Sequence, residues 1–84
     1  MQDREKKLAD ATVDAGIEAA HACEKYPPFN SRHEGYAVIL EELDELWLEA
    51  KKKNPDKDLL RYEAIQVAAM ALRFAAELGD GKEK

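Results

Sequence analysis

The chain has 84 residues, 37% of them charged and 45% hydrophobic, with four glycines and three prolines. That length fits one small domain whose core alone is marginal, and a lone cysteine, Cys23, excludes an intramolecular disulfide, so oligomerisation or a ligand is expected to supply the missing stability. A formal net charge of −5 argues against nucleic-acid binding, while a small anionic ligand stays open where a cation mediates.

Two breaks divide the chain. Pro27 and Pro28, in Tyr26-Pro27-Pro28-Phe29-Asn30, each lack a backbone donor and push the preceding residue out of the helical region. Asn54-Pro55-Asp56 reads as a short connection, with Asn54 as N-cap and Pro55 as the first helical residue. The intervening patterns all have helical period. The first helix is expected over about residues 4–25, with Leu8, Ala11, Ala15, Ala19 and Ala22 on its core stripe. The second spans about 32–53, opening on the capping-box form Ser31-x-x-Glu34 and carrying Ile39, Leu43, Leu46, Trp47 and Ala50. The third spans about 55–78, with Leu60, Ala64, Val67, Ala71, Ala75 and Leu78 on one face and Gly79 after its end. The tail 80–84 is expected to be disordered.

The short link makes the last two helices an antiparallel hairpin. Leu48, Tyr62, Met70, Leu72 and Phe74 lie off the main stripes, and a helix apolar around much of its circumference is covered on more than one side. The expected architecture is therefore all-α: a hairpin plus an N-terminal helix, forming a four-helix bundle on dimerisation. The polar N-terminus and the lack of any apolar run near ~20 residues point away from a signal peptide and a membrane span, toward a cytoplasmic protein.

The second helix concentrates acid. Glu41, Glu42, Asp44, Glu45 and Glu49 fall within nine positions, and no Lys or Arg occurs from His33 to Ala50. Glu41/Glu45 and Glu45/Glu49 repel at i,i+4, each pair costing a few tenths of a kcal/mol. Such a stripe suggests that something positive sits between the carboxylates. About the turn near Asn54-Pro55, the pair Glu42/Glu45 mirrors the pair Glu63/Gln66. At ~1.5 Å rise per residue the two pairs reach similar heights on facing helices. Three carboxylates and an amide oxygen would suit Mg²⁺, with Mn²⁺ as substitute, better than zinc. Arg73 follows roughly 10 Å beyond Gln66, opposite His33 and Glu34, so that Arg73 or a lysine can hold the far end of a metal-bridged polyphosphate.

Glu41-Glu42-x-x-Glu45, followed after seventeen residues by Glu63-x-x-Gln66, resembles the EExxE…ExxD signature of the MazG-type all-α NTP pyrophosphatases. The stretches 31–38 and 63–71 are similar to its phage and bacterial MazG-like branch, and the resemblance covers about residues 29–78. It implies a Mg²⁺-dependent hydrolase that cuts nucleoside triphosphates to a monophosphate and pyrophosphate; the surplus of apolar residues adds the expectation of a homodimer or tetramer. It further implies metal ligation by Glu42, Glu45, Glu63 and Gln66, with Glu41 or Glu45 orienting the attacking water. Gln66 stands where the family has aspartate, so one negative charge is lost unless a neighbour such as Glu49 restores it. The alternative is a MazG-like module, weak or inactive in catalysis, that binds nucleotide or a protein partner.

Each residue also has a structural reading. The glutamates can form a solvated face, and Gln66 can be a buried amide satisfied by a neighbouring helix. His33 can face solvent at a helix start, and Arg73 can pair with Glu77 at i,i+4. Trp47 fits a core or a dimer interface, or base stacking. Lys51-Lys52-Lys53 favours a helix C-terminus, and Tyr26 and Phe29 are expected to staple the linker onto the bundle.

Overall fold

The computed structural model describes residues 2–79. They form three helices, α1 (Asp3–Lys25), α2 (Arg32–Ala50) and α3 (Lys57–Glu77), with no strand among the described residues. The tail 80–84 lies outside the described residues. No helix is long and apolar enough to cross a membrane.

Local chemistry sets the helix ends. Ser31 caps α2, its Oγ accepting from the Glu34 backbone N–H at 3.1 Å. The reciprocal half of the expected capping box is displaced by one residue, because the Glu34 carboxylate takes the Asn30 backbone N–H instead. Helix α2 stops three residues short of the expected end. The Glu49 carboxylate accepts from Lys52 Nζ and from the Asp56 backbone N–H, both at 2.7 Å, and so draws the chain into the turn. The cap of α3 is Asp56, not Asn54: its Oδ1 accepts from the Asp58 and Leu59 N–H groups. An ionised cap gains from the helix dipole as well as the hydrogen bonds, and Pro55 is left outside the helix.

Helix α3 packs against both other helices, and α1 and α2 make no close backbone approach to each other. Gly35 lies against Phe74 and Leu78 at one end of the hairpin, and Glu49 meets Asp56 at the other, so α2 runs antiparallel to α3. Asp14 pairs with Arg61 and Cys23 reaches Glu77, so α1 runs parallel to α3. A Cβ added at Gly35 would sit 2.7 Å from the Phe74 ring; only glycine admits this approach.

The three-way junction is small. Ala19 and Ala22 of α1 meet Ala69 and Met70 of α3, with Val38 and Ile39 of α2 packed alongside. On α1 Ala15, Ala19 and Ala22 of the expected stripe are buried and Ala11 is half-buried, while Leu8 near its start is exposed. On α3 the expected face is split: Leu60, Val67 and Leu78 are half-buried and Ala64, Ala71 and Ala75 are exposed, whereas the buried positions are Gln66, Ala69, Met70 and Arg73. The reason is area. A central helix flanked on two sides buries more by enclosing the long stems of Met70 and Arg73 than by enclosing alanines. Leu43, Trp47 and Ala50 of α2, expected in the core, are exposed too. With Tyr36 and Leu40, Leu43 and Trp47 make an i, i+4, i+7, i+11 apolar stripe on the side of α2 away from Gly35 and Glu49.

Candidate metal centre

Glu42 and Glu45 project from α2 one turn apart, and Glu63 projects from the facing turn of α3. One carboxylate oxygen from each lies within 4.8 Å of the other two. Glu42 and Glu63 are half-buried and Glu45 is exposed at the rim. None of the three pairs with a lysine or arginine among the described residues. Glu63 Oε1 is buried without a hydrogen-bond partner among the described residues. Burial pushes the Glu63 carboxyl above the usual glutamate range, and the neighbouring Glu45 adds to this. Glu42 is raised for the same reason, burial first, then Glu45, Glu63, Glu41 and Glu18. A half-buried oxygen triad with an orphaned acceptor fits a hard divalent cation in donor type and charge.

The other candidate residues are distributed around this triad. Glu41 is exposed beside it and outside it. Glu49 is 3% exposed and committed to the turn; its hydrogen bond from Lys52, then that from Asp56, holds its carboxyl below the usual range. The missing charge at Gln66 is therefore not restored by Glu49. Gln66 lies one turn beyond Glu63, is 9% exposed, and lines a groove together with Glu42.

That groove has a volume of about 670 Å³, within the usual range for small-molecule sites. Its walls are α1 and α2, its floor is the Gln66–Met70–Arg73 strip of α3, and residues 26–30 close one end. Glu18 and Glu42 mark the acidic end. Lys25 and Arg73 lie about 10 Å away along their helices. Arg73 is firmly tied: Nε donates to Glu77 at 3.1 Å, Nη2 donates to the Pro27 carbonyl at 3.2 Å, and the guanidinium stacks 4.2 Å from the Phe29 ring centroid. Glu77 also accepts the Phe29 backbone N–H, the bond that does most to hold its carboxyl below the usual range. The Arg73–Glu77 pair thus forms, and it pins the linker through the buried Phe29. Tyr26 stays half-exposed under the Lys25 ammonium.

His33 is exposed and does not line the groove; His21 of α1 does. Sequence reasoning missed Glu18 and His21. Their spacing with Ala22 and Lys25 (i, i+3, i+4, i+7) was the available signal. Trp47 is 60% exposed and lies outside the groove. The chain matches no model of a known protein family, no curated protein and no solved structure in the three comparisons.

Proposed function

We propose that this chain is a Mg²⁺-dependent nucleoside triphosphate pyrophosphohydrolase of the MazG-like type, acting as a homodimer or a tetramer built from dimers. The observation that carries this reading is the meeting of Glu42, Glu45 and Glu63, from two motifs far apart in sequence, around an orphaned buried oxygen.

Glu42, Glu45 and Glu63 would hold the ion, with the Gln66 amide oxygen one turn away as a neutral fourth donor. Such an ion, when bound, supplies charge neutralisation of phosphate oxygens and Lewis acidity. The groove holds the triphosphate, with its Arg73 and Lys25 end turned to groups distant from the carboxylates. His33, exposed at the start of α2, is available only to parts of the substrate that extend beyond the groove. Glu45 at the rim, or Glu41 beside it, accepts a hydrogen bond from water and orients it toward phosphorus. Addition of that water breaks the α–β bridging P–O bond, giving a monophosphate and pyrophosphate, and the water's proton passes to a carboxylate or to solvent.

Dimerisation follows from the outward apolar faces. Tyr36, Leu40, Leu43 and Trp47 of α2 lie exposed, as do Ala64, Ala71 and Ala75 of α3. Pairing of two hairpins over these residues builds a four-helix bundle, the alanines permitting close approach. One observation favours the second reading, a binding module without hydrolysis: Gln66 brings no charge to the acidic end of the groove.

One assay separates them. Purified protein with Mg²⁺ is incubated with a panel of NTPs and dNTPs, and pyrophosphate is measured. Release that Glu42→Ala abolishes is the expected result. No release from any substrate, with nucleotide binding retained, leaves the binding module.

A further inference from the structure

Gln66 is the most enclosed polar side chain on the groove floor that has no partner. It is 9% exposed, and its amide makes no hydrogen bond among the described residues, in contrast to Glu49 and Arg73, the other two buried polar side chains. A buried amide is stable only when its donor and acceptor ends both find partners. No protein group meets either end among the described residues, and the side chain lines the groove, so a groove occupant is what its donor and acceptor can meet. Gln66 follows Glu63 by a rise of about 4.5 Å along the α3 axis and lines the same groove as Glu42.

We propose that Gln66 is a bifunctional ligand-reading residue, its carbonyl oxygen turned to the cation of the Glu42–Glu45–Glu63 triad and its amide N–H₂ donating to a phosphate oxygen of the substrate. This rests on the reading given above. A carboxylate at this place adds charge to the cation site but has no donor for a phosphate oxygen; the amide exchanges metal affinity for anion recognition. The substrate class that benefits is a polyphosphate carried by one divalent ion, whose residual charge is met by a donor instead of a second cation. Charge supports a single ion: among the described residues three carboxylates bring oxygens within 4.8 Å of one another, and Glu49 is committed to the turn.

The test compares wild type with Gln66→Glu and Gln66→Met. Isothermal titration follows Mn²⁺ alone, then Mn²⁺-tripolyphosphate, a probe without a base. Circular dichroism verifies the helices of each variant. Gln66→Glu is expected to bind Mn²⁺ several-fold tighter and Mn²⁺-tripolyphosphate at least tenfold weaker; the opposed signs are the signature. Gln66→Met, which keeps length but has neither donor nor acceptor, is expected to weaken both. Should Gln66→Met fail to fold, Gln66→Glu carries the decision alone. Tighter binding of both probes by Gln66→Glu, or unchanged tripolyphosphate affinity in Gln66→Met, overturns the role of the amide and leaves the metal centre intact. Wild-type protein that ignores Mn²⁺, or binds it equally well as Glu63→Gln, removes the metal centre and this inference together.

Discussion

Glu63 carries a buried oxygen with no hydrogen-bond partner among the described residues, and, after burial, the charges that raise its carboxyl are those of Glu45 and Glu49. Replacing it with the isosteric amide removes one like charge and offers a donor to Glu45. Glu63→Gln should therefore raise the melting temperature of the ion-free protein by a few degrees while abolishing the further rise that Mn²⁺ gives wild type, because only a ligand bound to the folded state stabilises it. Differential scanning fluorimetry with and without Mn²⁺ reads both effects; a Mn²⁺ response that survives the change speaks against the triad. The pH dependence follows from the same groups. Glu42 and Glu63 sit above the ordinary glutamate value. Their unfavourable contribution is full above those raised values and is relieved as pH falls through them. Glu49 and Glu77 sit below it, so their stabilisation persists above the ordinary value and disappears as pH falls through the lowered ones. Ion-free protein should be most stable in mildly acidic solution, and Mn²⁺ should move that optimum toward neutrality. A melting temperature that climbs steadily to neutral pH without metal contradicts this. The triad was legible in the sequence because i,i+3 spacing and a short hairpin fix heights on both helices. Glu18 and His21 were not, since the rotation of α1 depends on a linker whose path is set by Arg73 and Phe29, far away in sequence.

Helix boundaries are governed by single side chains. Glu49 ends α2 and Asp56 begins α3, so both ends lie farther from Pro55 than the proline signal alone implies. Which way α3 faces was harder to read. Its alanines occur on opposite sides, and alanine is nearly indifferent to burial, so the pattern could not tell the protomer's own core from an outward face. Gly35 fixes the hairpin's other end. Gly35→Ala inserts a methyl group against the Phe74 ring, where 2.7 Å separates the new Cβ from Cδ2. Overpacking of this kind costs about 1–3 kcal/mol, partly offset by the better helix propensity of alanine. Urea unfolding should show a lowered midpoint at unchanged slope; an unaltered midpoint means the two helices separate there without strain.

For the whole molecule, the balance of apolar surface is decisive. Among the described residues no large side chain is fully buried, and Tyr36, Leu43, Trp47 and Leu48 are each 46% exposed or more. A second copy laid over α2 and α3 would enclose them. Light scattering should therefore give at least twice the chain mass, and Leu43→Glu should weaken association by roughly 2 kcal/mol or more, since a carboxylate would enter an apolar seam. A wild-type monomer at micromolar concentration refutes the bundle. The all-α class and the number of helices were readable from periodicity alone. The proposed pairing of two copies rests on an excess of apolar residues over what three helices hide.

The absence of any close approach between α1 and α2 bears on how this molecule would grip a guest. Its two jaws share one spine and meet only where Val38 and Ile39 pack at the junction with Ala19 and Ala22 and at the hinge where Phe29 is clasped. Among the described residues no ion pair joins α1 to α2 across the mouth. Whatever lodges there adds a brace between the jaws, so that occupancy and gape are coupled.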